Sequence, residues 1–334
     1  MIYVIDERVQ MMKTWPTLTA VVAMLAATPF SPTPREVATD TYFIPGAVPA
    51  DRGPDGNTVM LVAPAGLIAI DTGRHPWHTE AILAFARDRR QPVAAIINTH
   101  WHLDHSSGNG RVKAAHPQAQ LYGTRAVDRA LAPGGMLARN FTTARERLAD
   151  PNASAVRREE TALFIATMEA ADALRPDVVV SETAKRSIAG RPLAVRVAAD
   201  AVTDADLWLL DEATGVAIIG DLVTLPAPFF ETACPVRWQQ ALDEVWTAPF
   251  RLAVPGHGEP MTRAQFDTYR RAFAGFRACV ASDSPPATCA AGWTRDVGML
   301  LAADADRHDA SEYATYYVDF LRKNGGASPD CRVK

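Results

Sequence analysis

The sequence has no surplus of positive charge: 34 Lys and Arg stand against 38 Asp and Glu, giving a net charge of −4 at pH 7. A phosphate-binding surface needs clustered Lys and Arg to displace counterions, and the arginines here are scattered, so nucleic acid is not an expected partner. Cysteine is scarce, with four in 334 residues. None of them forms a Cys-x-x-Cys pair, which argues against a thiolate zinc site. Internal repeats and low-complexity tracts are missing, so one domain is the economical organisation. Gly-x-Ser-x-Gly is absent as well; Ser106 and Ser107 read as small residues opening a helix rather than as a nucleophile. What is present is an ordinary globular composition, 48% hydrophobic and 22% charged, with apolar material for one large core or two small ones.

Residues 1–34 read as an export signal. The apolar stretch from Trp15 to Phe30 follows Met12-Lys13 and is too short to span a bilayer. Asp6 and Glu7 suit no signal n-region, which points to a start at Met11 or Met12, and an uncleaved N-terminal anchor is the alternative. The protein is expected to be periplasmic or secreted, with no stable membrane insertion once the signal is cleaved. An even number of cysteines in an exported chain suggests disulfides. Cys279 and Cys289 close a short loop and would pair, leaving Cys234 and Cys331 to tie the tail to the core, although four cysteines allow three connectivities.

Along the chain, Thr58–Ala63 and Leu67–Asp71 read as a hairpin. A helix over His78–Arg89 and a buried strand over Val93–Ile97 follow. Gln120–Ala132 reads as a βα passage and Arg139–Leu174 as mostly helical. Strands return at Asp177–Val180, Leu193–Val197, Leu207–Leu210 and Val216–Ile219. A helix at Arg237–Trp246, a strand at Arg251–Val254, the turn Pro255–Gly258 and three further helices complete the pattern, which is compatible with two sheets flanked by helices.

The chemistry gathers in His100-Trp101-His102-Leu103-Asp104-His105, at the C-terminal end of a buried strand. Neutral imidazole and carboxylate are ligands that zinc accepts, and three His and an Asp within six residues are hard to explain as packing in a chain with eight His. In an extended segment His100, His102 and Asp104 share a side, and a turn at Leu103–His105 would bring His105 round. Other residues weigh less. His75 and His78 read as surface or helix-start residues, His116 as part of a surface turn and His308 as solvated. Phe229, Phe230 and Trp238 are either the wall of an apolar pocket or plain core.

From about Asp40 to Pro260 the chain resembles the metallo-β-lactamase-fold hydrolases. Four pieces carry the likeness in order: Ile70-Asp71-Thr72-Gly73, Asn98 through His105, Ile219-Gly220-Asp221, and Pro255-Gly256-His257-Gly258. The resemblance implies an α/β fold, a four-layer αβ/βα sandwich over residues 40–262, with residues 263–334 as a helical C-terminal extension packed on it. It implies that His100 and His102 help hold a first metal, that Asp104, His105 and His257 hold a second, and that Asp221 bridges them, with Zn2+ as the cofactor in one or two copies. Asp71 could hydrogen-bond a ligating His from behind, or be a simple strand-end turn residue. Such an ion lowers the pKa of water from about 15.7 toward roughly 7 and polarises a scissile ester, thioester, lactone or amide carbonyl of a small-molecule substrate, with Asp104 as the catalytic proton shuttle.

One departure stands against these agreements. The third histidine of the family's first metal site belongs where this chain has Val202, in Ala201-Val202-Thr203-Asp204-Ala205-Asp206. Three readings follow. One ion is held by Asp104, His105, Asp221 and His257, with His100 and His102 polarising it from beside; two ions are held, with Asp200, Asp204 or a water as substitute; or the fold is a non-enzymatic descendant that binds a ligand or partner. Asp211-Glu212-Ala213-Thr214-Gly215, Gly220-Asp221-Leu222-Val223, Cys234-Pro235 and Cys289-Ala290-Ala291-Gly292-Trp293 resemble the exported metallohydrolases of quinoprotein dehydrogenase systems, which implies a partner in an exported redox system.

Overall fold

Short apolar runs whose side chains alternate between two buried faces build the centre of the molecule. The computed structural model describes residues 32–49 and 51–331; the export segment expected over residues 1–34 lies outside them as far as residue 31. Strands β1 (Arg35–Ala38), β2 (Thr41–Ile44), β3 (Thr58–Ala63) and β4 (Gly66–Ile70) form an antiparallel meander. Helix α1 (Pro76–Arg89) crosses to β5 (Val93–Ile97), which pairs parallel to β4. After α2 (Leu103–Ser106) and α3 (Asn109–Ala115) the chain adds β6 (Gln120–Gly123). Helices α4 (Ala126–Leu131), α5 (Met136–Ala149) and α6 (Ala155–Glu169) precede β7 (Val178–Val179), which ends the first sheet.

The second sheet runs β8 (Ala184–Ile188), β9 (Arg191–Ala199), β10 (Ala205–Asp211) and β11 (Val216–Thr224), all antiparallel. Helix α7 (Pro235–Thr247) crosses to β12 (Leu252–His257), parallel to β11, and β13 (Met261–Thr262) closes the edge. Helices α8 (Arg263–Val280), α9 (Pro286–Val297) and α10 (Asp304–Lys323) follow.

Alternation decides the layers. Val59, Leu61, Ile68 and Ile70 from the first sheet meet Val195, Leu207, Leu209 and Ile218 from the second in one core between the sheets. Their sequence neighbours Met60, Leu67 and Ala69 face outward against Ile82 and Phe85 of α1. Trp208, Leu210, Ala217 and Ile219 face α7 to α10 in the same way. Each fully buried Leu, Ile or Phe contributes roughly 1.5–3 kcal/mol, so these layers dominate the stability. The arrangement is the α/β four-layer sandwich with a helical C-terminal region. Both disulfides, Cys234–Cys331 and Cys279–Cys289, are formed. With sequence separations of 97 and 10 residues, they differ in loop entropy, roughly 4–5 kcal/mol for the long one and roughly 2–3 for the short. Among the described residues no helix is long and apolar enough to cross a membrane.

The first helix starts at Pro76 rather than His78, because proline's fixed φ and missing N–H suit the first helical position. The helical stretch 139–174 splits where Pro151 interrupts it and Ser154 caps α6 by accepting the Arg157 amide. Edge strands β1 and β8 have no counterpart among the expected strands, since four of their nine residues are exposed Arg, Glu, Lys or Ser.

Candidate metal centre

The parallel pairs of both sheets deliver their C-terminal ends to one place, where α/β proteins gather ligand sites. Asp71 follows β4, His100 and His102 follow β5, Asp104 and His105 lie on α2, Asp221 is late in β11, and His257 ends β12. Two glycines let the backbone come close: a Cβ on Gly56 would strike the His105 ring, and one on Gly256 would strike Asp221 Oδ1. Helices α4 to α6 cover the histidine loop, packing Val127, Leu137 and Phe164 near Trp101 and Leu103.

His105 is the hub. Its Nε2 lies 3.1 Å from Asp221 Oδ1 and 3.2 Å from His257 Nε2, and His257 Nε2 lies 3.0 Å from Asp104 Oδ2. The donor atoms of His100, His105 and Asp221 are within 4.8 Å of one another, as are those of Asp104, His105 and His257. All of these side chains are buried, His257 the least at 8% exposure.

Hydrogen bonds behind the rings fix which nitrogen faces inward. Asp71 Oδ2 takes the Nδ1–H of His105 at 2.9 Å, which turns Nε2 inward, and also the Thr99 hydroxyl, while Oδ1 takes the Thr99 amide. The single hydroxyl proton of Thr99 goes to Asp71 at 2.7 Å, so Thr99 Oγ1 accepts from His100 Nδ1 at 3.0 Å and the Nε2 of His100 is bare. The same accounting applies on the other side: Thr232 donates to the Val202 carbonyl at 2.8 Å and therefore accepts from His102 Nε2 at 3.0 Å. His102 Nδ1 is then the nitrogen without a proton.

Burial, followed by the neighbouring His105, holds His100 well below its ordinary pKa. Burial and then His100 push His102 down to about 3. His105 goes the other way: burial would lower it, but Asp221, Asp104 and Asp71 outweigh that and raise it. Asp104 and Asp221 stay below the usual carboxylate range although burial pushes them up, because His105 and His257 face them.

Four buried atoms here have no hydrogen-bond partner: His100 Nε2, His102 Nδ1, Asp104 Oδ1 and Asp221 Oδ1. A buried polar atom left this way costs about 1–3 kcal/mol. Bare imidazole nitrogens and carboxylate oxygens at such density are the donor set of a borderline divalent cation, and the residues present fit one.

Val202 is buried in the core beneath α7 to α10, with its amide donating to Asp206 Oδ2. Burial raises the Asp206 carboxyl to about 7, and three donors from Val202 and Thr203 hold it. Asp204 pairs with Arg129, and Asp200, at φ 54°, turns the chain between β9 and β10. Neither joins the converging atoms. Phe230 and Trp238 are core residues against Phe273, whereas Phe229 sets its ring 5.4 Å from that of His102.

His75 and His78 start a helix as expected, but the surface alternative is corrected: they are 1% and 0% exposed. His78 Nε2 bonds the Thr58 hydroxyl at 2.8 Å. His75 is clamped between Asp55 at 2.8 Å and Glu160 at 3.0 Å and stacks on Trp77. Sequence reasoning missed Asp55 and Glu160, which lie in a polar loop and a charged helix. One signal was available: Glu160 precedes the buried Phe164 by one helical turn and so lies on the same inward face.

The sequence model of the metallo-beta-lactamase superfamily matches residues 52–257, more than half of the chain. The chain belongs to that superfamily. Similar solved structures include a metallo-beta-lactamase from Pontibacter korlensis, at 15% identity and TM-score 0.50 over 71% of this chain and 96% of that one. Another, from Hirschia baltica, has 14% identity and TM-score 0.52 over 72% and 97%. The metallo-beta-lactamase FIM-1 from Pseudomonas aeruginosa in the mono-zinc form has 14% identity and TM-score 0.52 over 73% and 96%. At such identities the likeness shows the shared fold alone. A comparison with curated proteins finds none that matches. Members of the superfamily are mostly metal-dependent hydrolases, typically with zinc.

Proposed function

We propose that this metallo-beta-lactamase-fold chain is an exported hydrolase that holds one divalent ion, zinc in the first instance, on Asp104, His105, Asp221 and His257, with His100 and His102 beside it. One observation carries the reading: donor atoms converge on His105 from Asp104, Asp221 and His257, whereas Val202, where the resemblance expects a histidine, has no atom that could bind a metal. When bound, such an ion supplies a water of lowered pKa and a polarised ester, thioester, lactone or amide carbonyl. The chain's own residues supply the rest. Asp104, with Oδ1 unpartnered and Oδ2 on His257, is placed to take a proton and pass it on. Asp71 keeps His105 in one tautomer, and the packed helices α4 to α6 keep bulk water from the histidine loop.

Residues 40–262 carry this chemistry, and the described residues beyond them, 263–331, pack on them. Export is supported by the two disulfides and by the apolar segment after Lys13; an exported redox system as its setting is supported by the resemblance in the segments around Asp211, Cys234 and Trp293. Elemental analysis of the purified protein tests the proposal. The expected result is one equivalent of metal in the wild type, rising to two in Val202→His. Two equivalents in the wild type would overturn the single-ion assignment, and none in either protein would overturn the metallohydrolase reading.

A further inference from the structure

One cleft open to solvent reaches the buried donors at His257. This cleft of 170 Å³ opens between the loop after β2, the turn after β11 and the segment before α10. It is smaller than the roughly 300–1,000 Å³ of sites for drug-sized ligands, so it suits a small substrate. Its apolar walls come from Val48, Leu225, Pro226, Leu300 and Leu301. Two of the most exposed large apolar side chains among the described residues also flank the mouth: Val48 at 57%, and Met299, beside Leu300, at 75%.

The charged residues that line the cleft are acidic and already engaged. Among the described residues none of those lining it is Lys or Arg, and three are acidic. Asp55 accepts from the His75 ring, the Trp77 indole and the amides of Arg74 and His75. Glu259 is paired with Arg35, and Asp306 accepts the amides of Ala302 and Ala303. Apart from the metal site itself, a carboxylate on the substrate would find no Lys or Arg among the lining residues to pair with, and an ammonium group would find the acids taken.

We infer that the substrate is a small uncharged molecule whose apolar acyl or alcohol group lies between Val48, Leu225, Leu300 and Leu301, with its scissile bond presented past His257, and that substrates bearing a carboxylate beside that bond are rejected. This rests on the hydrolase reading and narrows its substrate class. Leu300 and Leu301, supplied by the C-terminal region, are the specificity-determining residues.

The test pairs turnover with binding on the zinc-loaded full chain. Turnover compares p-nitrophenyl butyrate with the mono-p-nitrophenyl ester of succinate, and calorimetry compares 4-phenyl-2-butanone with 4-phenylbutyrate. The neutral member of each pair should be favoured by roughly tenfold in kcat/KM and in Kd, a single tenfold step in free energy. Val48→Lys, at an exposed position, should erase the preference without lowering Tm, and Leu300→Lys, at the half-buried end of a 3-10 helix packed on the core, should erase it from the opposite wall. Equal or better use of the anionic compounds, or a preference unmoved by both lysine variants, would overturn the inference. Neutral-selective binding without turnover would support the cleft assignment and overturn the hydrolase reading; turnover without selectivity would do the reverse.

Discussion

Two buried clusters of histidine and carboxylate lie close together in this molecule, and they balance differently. Around His75 every carboxylate oxygen is used, and the atoms left without a hydrogen-bond partner are donors, Arg74 Nε and Nη1. Asp55 takes four donors, and Glu160 takes Arg52, His75 and the Gly53 amide while Arg74 Nε sits 3.3 Å away. Around His105 the polar atoms turn toward one another and four have no partner. The residue types are the same, so composition does not separate a structural ion network from a binding centre; the count of donors against acceptors does.

The largest effect should come from removing the shared acceptor of the His75 cluster. Glu160→Ala leaves His75, Arg74 and Arg52 without their common carboxylate, and removing one partner from a buried network costs about 3–5 kcal/mol. Urea denaturation should show that loss in metal-free protein; a loss below about 1 kcal/mol would mean that the clamp between α6 and the loop before β3 is dispensable. Glu160 is lowered to about 2: burial would raise it, but His75 and Arg74 outweigh that, so its contribution is present above its ordinary value of 4.5 and is lost as pH falls below that. His75 is raised above 6.5 because Asp55 and Glu160 outweigh burial, so its contribution is complete below 6.5 and is lost as pH climbs through the raised value. Wild-type stability should therefore be greatest between these limits, and the Glu160→Ala profile should be flatter.

In the other cluster, Asp71→Asn removes the acceptor that fixes His105 and should weaken metal affinity by roughly 10–100-fold with little change in fold. Competition with a chromogenic chelator measures it, and an unchanged affinity would show that the orientation of His105 does not depend on Asp71. The smallest effect is expected from Thr232→Val, which strands the Nε2–H of His102. Stability should fall by about 1 kcal/mol, while metal affinity stays within about twofold if His102 stands beside a single ion rather than holding it. A tenfold loss of affinity would make His102 a ligand and end the single-ion assignment.

Much of this was legible in the sequence. The alternating runs at 58–63, 67–70, 93–97, 207–210 and 216–219 set the two sheets, since each fits a strand buried on both faces. The His100–His105 run, Asp221 and His257 marked the centre by residue type and spacing. What stayed hidden depended on distance along the chain. Glu160 meets His75 across 85 residues and Thr232 meets His102 across 130, so no local pattern connects them. Asp55 looked like an ordinary loop aspartate because its burial is created by α1 and α6 closing over it.

The tail has a consequence for the centre. Ser328 is bonded to the main chain of Glu231 and Ala233, and Cys331 is bridged to Cys234, so the last described residues bracket the segment that carries Thr232. The residues gathered around His105 all come from the chain up to His257. The side of His102 that depends on Thr232 is fastened only when the C-terminus arrives and the thiols are oxidised. One side of the centre is thus tied to the redox state of Cys234 and Cys331, while the converging donors on the other side are not.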